Sequence, residues 1–312
     1  MSKKYVRPAE YIVPLNINGL EGRMLNLGGR NKNNRSELML VYDLNSNLER
    51  WWGLVVALSR YGNVTMADLP GFGGMDSFYT IGSKPTIDNL ADYLASFVKL
   101  RYRRKKLSIV AIGFGFCVVT RMLQRNPELK SKVSLVACIN GYAHKDDFIP
   151  SGPNQRLKTI SYRVGASLLI INILKLVMNN PVALNLRFRP AVSSNNIRKI
   201  ADEQFITKFR IDLAKENDLR TKIYLAWELL NLDNCDRSVA LPLWHITLGH
   251  PREVNPKLVE QHLRVIFRDY THLPSKLIRT LPLVLNDEKM AIKFIPARLR
   301  RELKKPANGN KP

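Results

Sequence analysis

Only three of the 312 residues are cysteine, and Cys117, Cys138 and Cys235 stand far apart along the chain. Few, scattered and odd in number, they make neither a disulfide framework nor a metal knuckle, so reduced thiols are expected. Histidines at metal-ligand spacing are missing as well: His245 sits inside an apolar run and His250 just beyond it, which reads as core or strand-end histidine, and no metal is expected. GFGFCV at 113–118 begins like a dinucleotide-binding turn. However, Val118 replaces the third glycine and no acid closes the next strand near Asn140, so no cofactor is expected either.

Long hydrophobic runs are also lacking. The most apolar stretch, VGASLLIINILKLVM at 164–178, spans 15 residues and contains Lys175, whereas a membrane span needs roughly 20 apolar residues. It reads as a buried helix facing a pocket. Arg156, Lys158 and Arg163 keep an interfacial membrane helix as the competing reading. The N-terminus, with Lys3, Lys4, Arg7 and Glu10, has no uninterrupted apolar core or cleavage site of a signal peptide, so a cytoplasmic setting is expected, peripheral to a membrane at most. No internal repeat or extended low-complexity segment is present.

Acid is scarce: 26 Asp and Glu against 49 Lys and Arg leave a net charge of +23 and a pI of about 10.1. Such a surface attracts nucleic acid, anionic phospholipid or acidic partners. The densest run, Lys99, Arg101, Arg103, Arg104, Lys105 and Lys106, closes a predicted helix, where cations suit the macrodipole. A second group, Arg298, Arg300, Arg301, Lys304 and Lys305, falls in what reads as a tail. No RNA-recognition signature, zinc-finger spacing or heptad array accompanies these charges. The pattern therefore disfavours a specific nucleic-acid site and favours a solvated basic surface.

What is present is a chain, 45% apolar, able to bury a sizeable core. ELMLVY at 37–42 predicts a buried strand, WWGLVVALSRY at 51–61 a helix, and NVTMADLPGFGG a strand running into a glycine turn. Thr86 can cap a helix whose Ile87, Leu90, Ala91, Leu94 and Phe97 share one face. Buried strands follow at 107–112 and 133–139, with a tight turn at Gly113 and Gly115 and a helix opening at 118–123 that Asn126 and Pro127 close. This alternation implies an α/β domain with a mostly parallel central sheet and helices on both faces.

From 145 to 236 the alternation stops and helical stretches take over, notably 197–215 and 219–232. Strand and helix return at 241–248 and 256–267. The expected organisation is a core in two parts, 1–144 and 237–303, interrupted by a helical cap at 145–236 and followed by a flexible basic tail at 304–312. Lys145, Asp146 and Asp147 read as a solvated approach to the cap.

The strand, tight turn and helix around GFGFC resemble the G-x-S-x-G nucleophile elbow of the α/β-hydrolase fold family. DLPGFGG at 68–74 resembles the glycine turn that precedes the elbow, and RNP at 125–127 closes the elbow helix. The resemblance spans most of the chain. Carried onto it, the serine position falls on Gly115, between Phe114 and Phe116, with Cys117 at the second elbow glycine. The acid position, in a turn resembling G-x-x-D, falls on Arg252. The histidine position falls near Thr280, leaving room for a helix of roughly 11 to 12 residues and a strand of roughly 5 to 6. His272 is the weaker candidate, because it follows the helix at 256–267 with too little chain for a strand. The His-Gly pair beside the second oxyanion donor is replaced by Tyr42 and Asp43.

A triad works only as a unit, so three substituted positions imply lost hydrolysis. The reading is of a pseudohydrolase that binds an apolar or acyl small molecule, or a partner, rather than an enzyme. Two alternatives stand beside it. One is an active hydrolase with a displaced triad that drafts Cys117 and His272, although cysteine is among the most buried residue types. The other is a basic protein docking on anionic membrane or nucleic acid.

Overall fold

The computed structural model describes residues 8–31, 36–149, 170–172, 197–248, 254–275 and 284–305. Its first pair of strands escapes the strand readings above. β1 (Ile12–Ile17) and β2 (Leu20–Leu27) form an antiparallel hairpin joined by Asn18 and Gly19, both at positive φ (53° and 79°). Asn-Gly adopts that primed turn at little steric cost, and its twist matches the strands.

The rest alternates as the sequence implies. β3 (Glu37–Val41), α1 (Trp52–Leu58), β4 (Asn63–Ala67), α2 (Ile87–Arg101), β5 (Leu107–Ile112), α3 (Phe114–Arg125) and β6 (Val133–Ile139) follow in order. Thr86 does cap α2, accepting from the Asn89 amide. α3 begins four residues earlier than the pattern from Val118 implies, because Gly113, Phe114 and Gly115 carry the chain straight from strand into helix.

Between β6 and β7 (Leu243–Thr247) the described residues form helix α4 (Ile197–Glu216) and helix α5 (Leu219–Leu229), with a further helical fragment at 170–172. Most of the apolar stretch 164–178 lies outside the described residues. No helix among them is long and apolar enough to cross a membrane. Where the chain leaves and regains the core, His144 and Asp233 form an isolated antiparallel bridge, and Asn234 donates to the Ala143 carbonyl.

After β7 come α6 (Pro256–Ile266) and β8 (Tyr270–Pro274). The interval before position 280 holds the helix and the strand expected of it, 11 and 5 residues long, and His272 falls inside the strand rather than beyond it, because only residues 267–269 separate α6 from β8. The basic group near the end is not wholly a tail. α7 (Glu288–Ala291) and α8 (Ala297–Glu302) pack back on the core, with Leu299 and Leu303 buried, and the Leu285 carbonyl accepts from the Gly53 amide of α1.

The eight strands run in the order β1-β2-β4-β3-β5-β6-β7-β8, antiparallel at β1-β2-β4 and parallel from β4 to β8. β3 is buried throughout, as a strand covered on both faces must be. Crossovers in such sheets are right-handed. The step from β3 to β4 runs one way along the sheet and the steps from β4 to β5, β5 to β6 and β7 to β8 the other. α1 therefore lies on one face, and α2, α3 and α6 lie on the opposite one. The direction reverses at β3 and β5, and a crevice opens beyond the carboxyl ends of strands at such a switch point. Tyr42, Asp43 and Gly113 stand there.

Candidate functional site

At the end of β5 the Gly113 amide still donates to the Ile139 carbonyl of β6, and the next residue already begins α3. One residue must absorb the whole change of direction. Gly113 does so at φ 49°, ψ −116°, a conformation that essentially only glycine adopts freely. The elbow residue is thus Gly113, two positions before Gly115, the position expected from the sequence. Gly115 lies in the first turn of α3, where a Cβ would run into the carbonyl oxygens at the end of β3, that of Val41 at 2.7 Å. It takes the place of the second elbow glycine, which the sequence reading gave to Cys117.

Asp43 meets this turn from β3. Its Oδ1 accepts from the Phe114 amide at 2.8 Å and from the Leu44 amide at 2.9 Å. These are the amide after the elbow residue and an amide from the loop after β3, the two groups that form the oxyanion hole where the fold is catalytic. A Cβ on Gly113 would fall on the same carboxylate. Asp43 lies within the electrostatic reach of Arg50, whose guanidinium pKa is lowered by burial and pulled back up by Asp43.

The neighbouring Tyr42 does something different from lining a site. It is fully buried, donates through its hydroxyl to Asp68 Oδ1 at 2.8 Å and accepts from the Leu69 amide at 2.7 Å. Asp68 Oδ2 receives Arg23 Nε at 2.7 Å, and Arg23 also holds Glu49 through both terminal nitrogens. A fully buried carboxylate needs such partners. The network pins the ends of β3 and β4 and the DLPGFGG turn that begins at Asp68.

Above these loops sits the junction of α4 and α5. Asn217 Oδ1 accepts from the Gly73 amide at 2.8 Å, its Nδ2 donates to Asn45 Oδ1 at 3.1 Å, and the Asp218 amide donates to the Gly71 carbonyl at 2.8 Å. Asn47 Nδ2 adds a bond to Glu216 at 2.9 Å. Gly71 and Gly73, both at positive φ, let the backbone come that close.

The remaining candidates disperse. Cys117 is fully buried, donates its thiol to the Tyr142 carbonyl at 2.9 Å, and burial pushes its pKa well above the ordinary thiol value. It is a poor nucleophile there. Phe114 is buried and contributes its amide, while Phe116 packs on Phe267 at 5.9 Å behind the turn. His272 lies within edge strand β8, exposed, its Nε2 2.9 Å from Thr247 Oγ1. His245 is buried beside it, with Nδ1 3.0 Å from the Tyr270 hydroxyl. Arg252, His250 and Thr280 lie outside the described residues. Among the described residues no cluster of three or more His, Cys, Asp or Glu could hold a metal ion.

Asp147 corrects the expectation of a solvated approach. Asp146 is exposed, but Asp147 is fully buried, accepts from the amides of Ala143 and His144, and bonds His262 Nδ1 of α6 at 2.6 Å. Residues 115 apart meet there, and no local pattern announces the pairing.

No protein-family model matches the chain, and no curated protein matches it. Solved structures do resemble it. A putative lipase from Acinetobacter baumannii AYE matches with a TM-score of 0.61 at 15% identity, covering 94% of this chain and 92% of its own. The Cif epoxide hydrolase from Acinetobacter nosocomialis matches with a TM-score of 0.62 at 12% identity, covering 93% and 89%. An enol-lactonase from Burkholderia xenovorans LB400 matches with a TM-score of 0.58 at 16% identity, covering 85% and 91%. Sheet order, elbow and similarity across most of both chains agree: this protein has the α/β-hydrolase fold.

Proposed function

We propose that this protein is a pseudohydrolase, a binding protein on an α/β-hydrolase scaffold in which α4 and α5 belong to a helical cap over an apolar pocket. The observation that carries this reading is Gly113: at the sharp turn where the fold presents its nucleophile there is no side chain. The chain also contains no histidine after Pro274, so the loop beyond the last strand, where the family keeps its base, cannot supply one. Arg252 and Thr280 remain the proposed positions of the lost acid and histidine.

The reading fits the energetics. A free oxyanion-hole donor is worth roughly 3 to 4 kcal/mol of transition-state stabilisation, and a carboxylate already seated on both donors opposes a developing oxyanion instead. The displaced-triad alternative asks Cys117 for a thiolate, and its burial argues against one.

Purified full-length protein tests the proposal with p-nitrophenyl acetate and a serine-directed fluorophosphonate. The expected result is ester hydrolysis at the buffer rate and no covalent label. Turnover well above buffer overturns it, whether it survives Cys117→Ala and His272→Ala or is lost in them, in which case it belongs to the displaced-triad alternative.

A further inference from the structure

The fate of the oxyanion hole goes beyond the loss of a nucleophile, although the inference rests on the reading of position 113 just given. Two backbone amides from different elements, Leu44 after β3 and Phe114 at the start of α3, aim at a single oxygen, Asp43 Oδ1. In a working hydrolase that point belongs to an oxygen of the substrate. The same carboxylate also stands where the first atom of a side chain at 113 would go. Nucleophile space and oxyanion space are thus filled together, by one residue of the chain itself.

We infer that Asp43 is an internal occupant of the oxyanion hole and determines what the site rejects: ligands that would seat a carboxylate, phosphate or ester carbonyl oxygen on the Leu44 and Phe114 amides. Both donors are already spent on an anion, and a second anion there would meet the first at close range with no donor left to receive it. The ligand class left to the proposed pocket is apolar molecules whose end nearest β3 and β5 is uncharged. A fatty-acid anion is excluded, and so is an acyl ester held by its carbonyl. Arg50 is a cation whose field reaches Asp43, and its buried Nε has no hydrogen-bond partner among the described residues. It offsets the carboxylate's charge without freeing either amide.

Full-length protein selectively 15N-labelled at Leu and Phe, titrated with sodium acetate against sodium chloride at matched ionic strength, tests this. The Leu44 and Phe114 amides are the readout. In wild type neither resonance moves with acetate. In Asp43→Gly both move downfield and saturate, because the opened hole takes up the small carboxylate. In Asp43→Asn they stay insensitive, since the amide oxygen can keep both bonds.

An acetate-dependent shift in wild type overturns the inference whatever the variants do. So does a folded Asp43→Gly or Asp43→Ala protein whose two amides ignore acetate. If neither variant folds, wild type and Asp43→Asn decide: a shift in either overturns the inference, and silence in both supports it. Ester turnover by wild type sinks the pseudohydrolase reading by a separate measurement, so the two failures are distinguishable.

Discussion

His245 is the residue whose environment makes the clearest statement about stability. It is buried in β7, and desolvation, followed by repulsion from His272 across the strand pair, lowers its pKa from 6.5 to about 3. Between those values the unfolded chain holds a proton that the native one lacks, so stability rises with pH across that window and is lost as pH falls. Unfolding free energy measured in urea from pH 6.5 downwards should decline by up to ~1.4 kcal/mol per pH unit from this group. A folded His245→Gln variant should show a correspondingly shallower decline. Equal slopes in the two proteins would show that His245 takes up its proton equally in both states.

The elbow shows at the scale of elements how much a pattern conveys. The buried runs at 107–112 and 133–139 mark β5 and β6 with the bounds the structure has, because a central parallel strand is apolar from end to end. GFGFC announces a tight turn equally well. Which of its two glycines bends is not written locally. That depends on where the ladder ends: Ile112 still pairs with Ile139, so the next residue must turn. Gly115 is then glycine for another reason, contact with the end of β3. Gly115→Ala should therefore lower stability by about 1 to 3 kcal/mol, as overpacking against backbone does. Gly28→Ala, with nothing within 4 Å of its added carbon, should stay within about 0.5 kcal/mol of wild type. Denaturant midpoints at constant m-value compare the two. A Gly115→Ala midpoint as high as that of Gly28→Ala would mean the approach is not tight.

Over the whole molecule, the coupling that matters is between the core and the helical connection resting on it. Asn217 ties the α4-α5 junction to Gly73 and Asn45 at once, two loops that follow different strands. Asn217→Ala should loosen that docking by about 1 to 2 kcal/mol, since a buried amide would be left without its acceptor. The loss should be local. Amide hydrogen exchange should quicken at Gly73 and Asp218 while β5 and β6 keep their protection. Faster exchange throughout the sheet would show instead that the junction is part of the global folding unit.

Composition and periodicity by themselves determined the α/β class, the bounds of the central strands, the helical character of 197–229 and the glycine at the turn. Each of these depends on residues close together in the chain. Only the tertiary structure decided that the turn residue is Gly113, that Tyr42 serves Asp68, that Asp147 meets His262, and that Asp43 holds both amides at the head of the site. Leu44 apart, which is Asp43's own neighbour, those contacts join segments 26 to 115 residues apart, and their partners are brought together by sheet order and crossover handedness rather than by any local preference.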